Sequence, residues 1–165
     1  MLNDKPYSRR SIRLPTYDYS SAGYYYITIC TFKRRCMLGK IIHEKMQLNS
    51  CGEMIKRWWL TLPQQFNAIH LDHYIVMPNH IHGIISLKYP NPFSKIALGR
   101  AMQWFKGMSA REYSQGFLAE HPLWQRNYYE HIVRNDHELS VFREYIVNNP
   151  LQWALDAENL EKNPL

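Results

Sequence analysis

Residues 71–87, LDHYIVMPNHIHGIISL, constrain the fold more than any other stretch of this chain. Two apolar runs rich in β-branched residues flank Pro78 and Asn79. The turn chemistry of that pair predicts two strands joined by a hairpin or a sharp bend. Side chains alternate across a strand, so His80 and His82 project from one face of the second run, while Ile81 points to the other with Ile85 and Leu87.

The remaining patterns place further elements around this pair. Residues 24–32, YYYITICTF, follow Gly23 and are dense in aromatic and β-branched side chains, which predicts a buried strand with Lys33, Arg34 and Arg35 at its far end. Asn49 or Ser50 is placed to cap a helix running to about Leu62, with Met54, Ile55, Trp58, Trp59 and Leu62 as its apolar stripe and Pro63 as its stop. A second helix is expected over 94–113, its buried side drawn from Ile96, Leu98, Met102, Trp104, Phe105 and Met108, with Gly99 and Gly107 weakening its continuity. Residues 123–135, LWQRNYYEHIVRN, read as a short extended piece and a turn. A last helix is expected over 136–148, with Leu139, Val141, Phe142 and Ile146 at helical spacing and Pro150 marking its end or a kink just beyond. The order strand, helix, strand, strand, helix, strand, helix implies an α+β domain. A ferredoxin-like or RRM-like arrangement, a largely antiparallel sheet with helices packed against it, is the natural candidate.

A chain of 165 residues fits a single domain over 1–165, with 1–20 as an extended basic arm carrying Arg9, Arg10 and Arg13 and 151–165 as a short tail. No apolar run approaches the length that spans a bilayer, and the first residues lack a signal-peptide core, so a cytoplasmic protein without a membrane partner is expected. Cys30, Cys36 and Cys51 are odd in number and at no metal-ligand spacing, which predicts reduced thiols, mostly buried. A formal charge of +6 and a pI near 9.2 favour an anionic partner. Clustered cations beside twelve tyrosines suit a single nucleic-acid strand, whose phosphates meet the charges while bases stack on rings. There is no phosphate-cradling glycine loop, which disfavours a nucleotide-hydrolysing motor.

Two imidazoles on one strand face can share a metal ion, or they can be an exposed pair. His70 and His73 read as surface or hydrogen-bonded histidines. Tyr145 and Asn149 stand four apart on the last helix and therefore on one face. That face either turns toward the histidines, with the Asn149 side-chain oxygen as a third ligand, or it leaves Tyr145 at the core margin and Asn149 as a C-terminal cap. Spacing leaves both open. Tyr128 and Tyr129 are either rival nucleophiles or a stacking pair, and Arg126, Arg134 and Lys106 either contact phosphates or belong to a solvated surface.

The runs YIVMPNHIHGII, WQRNYYEHIVRN and EYIVNNP, in that order, resemble the single-tyrosine HUH transposases, and among them the REP-associated tyrosine transposases. HUH denotes two histidines around a bulky hydrophobe, which His80-Ile81-His82 fits. The resemblance spans about residues 23–150 and implies an HUH nuclease fold, with a divalent metal, Mg²⁺ or Mn²⁺, held by His80, His82 and Asn149. It implies Tyr145 as the nucleophile that forms a 5′-phosphotyrosine with single-stranded DNA folded as a palindromic hairpin; such a protein is expected on the nucleoid, with monomer and homodimer both left open by the sequence. It further implies DNA contacts at Gly23 and at the aromatics Tyr24, Tyr25 and Tyr26, to which the basic and aromatic residues Arg34, Arg35, Lys106, Arg126, Tyr128, Tyr129 and Arg134 are added as candidates. Two rivals remain: a non-catalytic nucleic-acid-binding module with an RRM-like sheet, and a histidine-triad hydrolase. The latter would need a third alternating histidine where this chain has Ile84.

Overall fold

The computed structural model describes residues 18–88, 97–117 and 120–153. In chain order the elements are β1 (Gly23–Cys30), β2 (Gly39–Ile42), β3 (Lys45–Leu48), α1 (Ser50–Gln65), β4 (Ile69–Val76), β5 (His80–Leu87), α2 (Leu98–Gly116), β6 (Tyr129–Val133) and α3 (Asp136–Gln152). Four strands form one sheet in the order β4-β5-β1-β6, every neighbouring pair antiparallel. β1 and β4 both oppose β5, so they run the same way, and α1 is the crossover between them. β5 and β6 both oppose β1, and α2 connects them. This is the ferredoxin-like order expected of two interleaved strand-helix-strand units.

The two faces of the sheet have different covers. Tyr25, Ile27 and Ile29 of β1 and Ile81, Ile85 and Leu87 of β5 join the large core beneath α1 and α2, with Ile55, Trp59, Leu62, Met102 and Phe105. The alternate residues Tyr26 and Ile84 join a smaller cluster with Leu139 and Ile146 of α3. His80 and His82 share that second face. In β4 the register slips between Leu71, which opposes Ile85, and Tyr74, which opposes Gly83. The extra residue keeps Leu71 and Tyr74 on the same face and re-aims Asp72, as a bulge does.

Gly83 sits directly under Trp59: an added Cβ would come 2.3 Å from Trp59 Cζ2. Trp59 is fully buried and cannot retreat. Gly83→Ala is therefore expected to destabilise the fold by roughly 1–3 kcal/mol, the usual cost of overfilling a packed core. Thermal or urea unfolding would read this as a lowered midpoint.

Several boundaries differ from expectation. α1 runs through Pro63 to Gln65, and α3 runs through Pro150 to Gln152. In each case only one backbone bond is lost, and packing near the end holds the turn: Leu62 is buried in α1, and Asn149 and Trp153 are buried at the end of α3. The tail expected from 151 thus begins later. Val141, expected on the inner side of α3, is 49% exposed, because the helix presents Leu139, Phe142 and Ile146 to the sheet instead. β1 ends at Cys30, where the chain turns through a short 3-10 segment at Phe32–Arg34. The hairpin β2–β3 was not foreseen, since its strands are only four residues each. The thiols are less buried than expected: Cys51 is buried, Cys30 partly so, and Cys36 exposed. Burial pushes the Cys51 thiol up to about 11. α2 keeps its continuity through Gly99 and Gly107 and ends at Gly116. The arm with Arg9, Arg10 and Arg13, the expected start of the second helix with Ile96, and the chain beyond 153 lie outside the described residues. No helix among the described residues is long and apolar enough to cross a membrane.

Candidate active site

β5 carries His80 and His82 as neighbours on one face, their rings 4.3 Å apart. Pairing with β1 puts Thr28 opposite His82. Nδ1 of His82 lies 2.7 Å from the Tyr26 hydroxyl and 2.8 Å from the Thr28 hydroxyl, either of which can donate or accept. Its Nε2 is buried and makes no hydrogen bond. Burial, and after it the charge His80 can carry, hold the His82 imidazole well below the usual 6.5, so it is neutral at pH 7. His80 is fully buried and uses Nδ1 to reach Asn79 Oδ1 at 2.8 Å.

α3 starts at a capped end, where the Asn135 side chain accepts from Glu138 N and Glu138 accepts from Arg134 N. Its inward face meets the histidine face of the sheet. Phe142 stacks on Tyr26 at 4.3 Å, and one turn on the Tyr145 ring stands 5.3 Å from that of His82 and 6.3 Å from that of Tyr26. Tyr145 is 36% exposed, so it borders the histidines while remaining open to solvent. One further turn brings Asn149, only 1% exposed. It lies inside α3 and not at its end, so it does not cap the helix. Trp153 closes this end, its ring 6.0 Å from that of His80.

A charge pair fixes α3 to the sheet edge. Arg143 donates from Nε to Asp72 Oδ1 at 2.9 Å and from Nη2 to Oδ2 at 2.5 Å, while Asp72 also accepts from the backbone and ring of His73. The Arg143 guanidinium holds the Asp72 carboxyl down to about 2 against its ordinary 3.8, with the hydrogen bonds from His73 adding to the effect. A depressed carboxyl contributes stability above its unfolded pKa and loses it as pH falls through the folded value. Asp72→Asn is therefore expected to cost about 1 kcal/mol at pH 7, allowing for solvent screening. The gap between variant and parent melting temperatures should close as pH falls from about 4 to about 2.

The donor set suits a divalent cation. Two imidazoles stand beside a buried amide, His80 Nε2 and Asn149 Oδ1 being buried as well as His82 Nε2. A buried polar atom without a hydrogen bond costs on the order of 1–3 kcal/mol, which a metal bond at His82 Nε2 would offset. Among the described residues no group of three or more His, Cys, Asp and Glu gathers to hold an ion, so an amide, water or a bound anion must complete any such shell.

The other candidate residues spread over the molecule. Gly23 and Tyr24 lie at one end of β1, and Arg34 and Arg35 just past the other, about 25 Å away at 3.4 Å per residue. Gly23 has φ +151 with open space around a would-be Cβ, so backbone conformation calls for glycine there. Tyr24 is partly exposed on the α3 face. Tyr25 corrects the expectation of a DNA contact: it is fully buried in the core under α1 and α2, its hydroxyl donating to Ser21 O. Lys106 spends its ammonium on three carbonyls, those of Gln125, Arg126 and Asn127, and so braces the approach to β6. Arg126 and Arg134 are exposed. Tyr129, 53% exposed, opposes Thr28 on the histidine face, whereas Tyr128 packs against the core on the other. His70 is exposed, and His73 is engaged with Asp72, as expected of both. Sequence reasoning named Tyr26 only as a DNA contact and not as a partner of His82, and it missed Thr28, Asp72 and Asn79 at the site, because strand register and the bulge decide which of them meet it.

Known proteins resemble this arrangement. The family described as IS200-like transposases matches residues 19–149. An uncharacterized protein of Haemophilus influenzae is 38% identical, over 90% of this chain and 91% of its own length. Among solved structures, a REP-associated tyrosine transposase bound to a REP hairpin superposes with a TM-score of 0.61 at 18% identity, over 82% of this chain and 70% of its own. A protein of Deinococcus radiodurans R1 assigned as a transposase gives a TM-score of 0.52 at 19% identity, over 78% of this chain and 91% of its own.

Proposed function

The chain belongs to the IS200-like transposase family, and from that premise we propose that it cleaves and rejoins single-stranded DNA at hairpin-forming palindromic repeats, using Tyr145 as nucleophile and His80, His82 and Asn149 to hold Mg²⁺ or Mn²⁺. The observation that carries this reading is the Tyr145 ring standing 5.3 Å from the His82 ring, both from one chain. The REP hairpin bound by the similar transposase supports a hairpin substrate.

Bound metal would act as a Lewis acid, withdrawing charge from a non-bridging phosphate oxygen and orienting the scissile bond. The residues of the chain do the rest. Tyr145 Oη attacks phosphorus as its proton departs; the new bond is Oη–P, the broken bond is P–O3′, and the 3′ oxygen leaves with a proton. The 5′-phosphotyrosine conserves the energy of the diester, so a DNA 3′ hydroxyl can reverse the step without ATP. Tyr26 and Phe142 hold the face of α3 that presents the phenol, and the Arg143–Asp72 pair sets the height of that helix above the sheet. In this reading Arg34, Arg35, Arg126 and Arg134 meet phosphates, and Tyr24 and Tyr129 stack on bases. The protein acts in the cytoplasm, on the nucleoid.

The reading is tested by incubating the protein with single-stranded hairpin DNA and Mn²⁺ and resolving products on a denaturing gel. A protein–DNA adduct that disappears in EDTA is expected. DNA bound in a salt-dependent manner but never cut would favour the non-catalytic binding module instead.

A further inference from the structure

We propose that Asn79 is a positioning residue, one amide that fixes the ring nitrogen His80 offers to a metal and at the same time pins the basic loop after β1. The proposal rests on the reading of His80 as a ligand, but its first test requires no metal. Asn79 stands in the bend between β4 and β5 and is fully buried. Its Nδ2 donates to Arg34 O at 3.0 Å, and its Oδ1 lies 2.8 Å from His80 Nδ1.

The chemistry of the partners sets the orientation of this amide. A backbone carbonyl oxygen only accepts, so the amide nitrogen must face Arg34 and the amide oxygen must face His80. An amide oxygen also only accepts, so His80 Nδ1 must carry the hydrogen between them. The neutral ring then keeps its lone pair on Nε2, the buried nitrogen. Outer partners of this kind orient ligating histidines and set their tautomer. His82 differs, because its two hydroxyl neighbours serve either tautomer. His80 thus arrives in its ligating form, and His82 adapts.

The other end of the amide restrains an unfavourable backbone. Lys33 and Arg34 have φ of 52 and 53, a left-handed conformation that is unfavourable for any residue bearing a Cβ. Asn79 holds the loop at two points: Nδ2 on Arg34 O, and its backbone oxygen, which accepts from Thr31 N at 2.9 Å. The Thr31 hydroxyl, within 2.8 Å of Arg35 O and 2.9 Å of Asn79 O, ties the same segment. A shift of the basic loop therefore pulls on the amide that fixes His80.

The test begins with metal-free wild-type protein labelled with ¹⁵N at histidine. Long-range ¹H–¹⁵N correlation at neutral pH should show His80 with its hydrogen on Nδ1; a hydrogen on Nε2 would overturn the proposal. Asn79→Ala should mix the tautomers and weaken Mn²⁺ binding, measured calorimetrically, by about tenfold or more. Asn79→Asp, which restores an acceptor to His80, should recover Mn²⁺ affinity to within about threefold of wild type. A folded Asn79→Ala protein that binds Mn²⁺ like wild type would contradict the proposal, and so would an Asn79→Asp protein no better than the alanine variant. Wild-type protein with the Nδ1 hydrogen but no Mn²⁺ binding would instead defeat the metal reading and leave the hydrogen-bond assignment standing.

Discussion

Tyr145→Phe is expected to abolish the covalent DNA adduct and to lower strand cleavage by about 10³-fold or more, while hairpin affinity stays within about twofold. The substitution removes one oxygen and leaves the ring, so the packing of Tyr145 against His82 and Tyr26 persists. Loss of cleavage with retained binding is the signature of an interaction made only in the transition state. Tyr145 is 36% exposed, so a phosphate can approach it without unfolding α3. Tyr129 provides the sharpest internal control: it is more exposed, it lies on the same sheet face opposite Thr28, and Tyr129→Phe should leave the adduct intact.

Replacing both His80 and His82 by alanine is expected to remove cleavage to a similar extent and to abolish the rise in melting temperature that Mn²⁺ gives the parent. At about a hundred times its dissociation constant a bound ion stabilises the folded state by about 2.7 kcal/mol, which a thermal scan resolves readily. The single variants should each lose nearly as much cleavage as the double one, because ligands of one ion act as a unit. His82→Ala also leaves the buried hydroxyls of Tyr26 and Thr28 without their imidazole partner, so some loss of stability without metal is expected. Cleavage that survives in the double variant would remove the ion from the mechanism.

Much of this arrangement was legible in the chain. The alternation His80-Ile81-His82 fixed the faces of β5, since a period of two admits no other outcome, and the four-residue spacing of Tyr145 and Asn149 fixed their common side of α3. What spacing could not fix was whether those two faces meet. That depends on sheet order, on Phe142 and Leu139 packing over Tyr26, and on Arg143 reaching Asp72, all contacts between residues far apart in sequence. Tyr25 shows the limit from the other side: three successive tyrosines look alike in sequence, and only the register of β1 sends Tyr25 into the core and Tyr26 to His82. The two prolines misled for a related reason. Local preference makes Pro63 a stop and Pro150 a stop or a kink, and in both helices the packing of the final turn carries the helix two residues past the proline.

One chain brings its own phenol to its own imidazole pair. Trapping the adduct with hairpin DNA and Mn²⁺, digesting it with nuclease and protease, and sequencing the modified peptide by mass spectrometry tests it most directly. A nucleotide mass is expected on Tyr145 alone; a mass on Tyr128 or Tyr129, with Tyr145 unmodified, would move the nucleophile off α3.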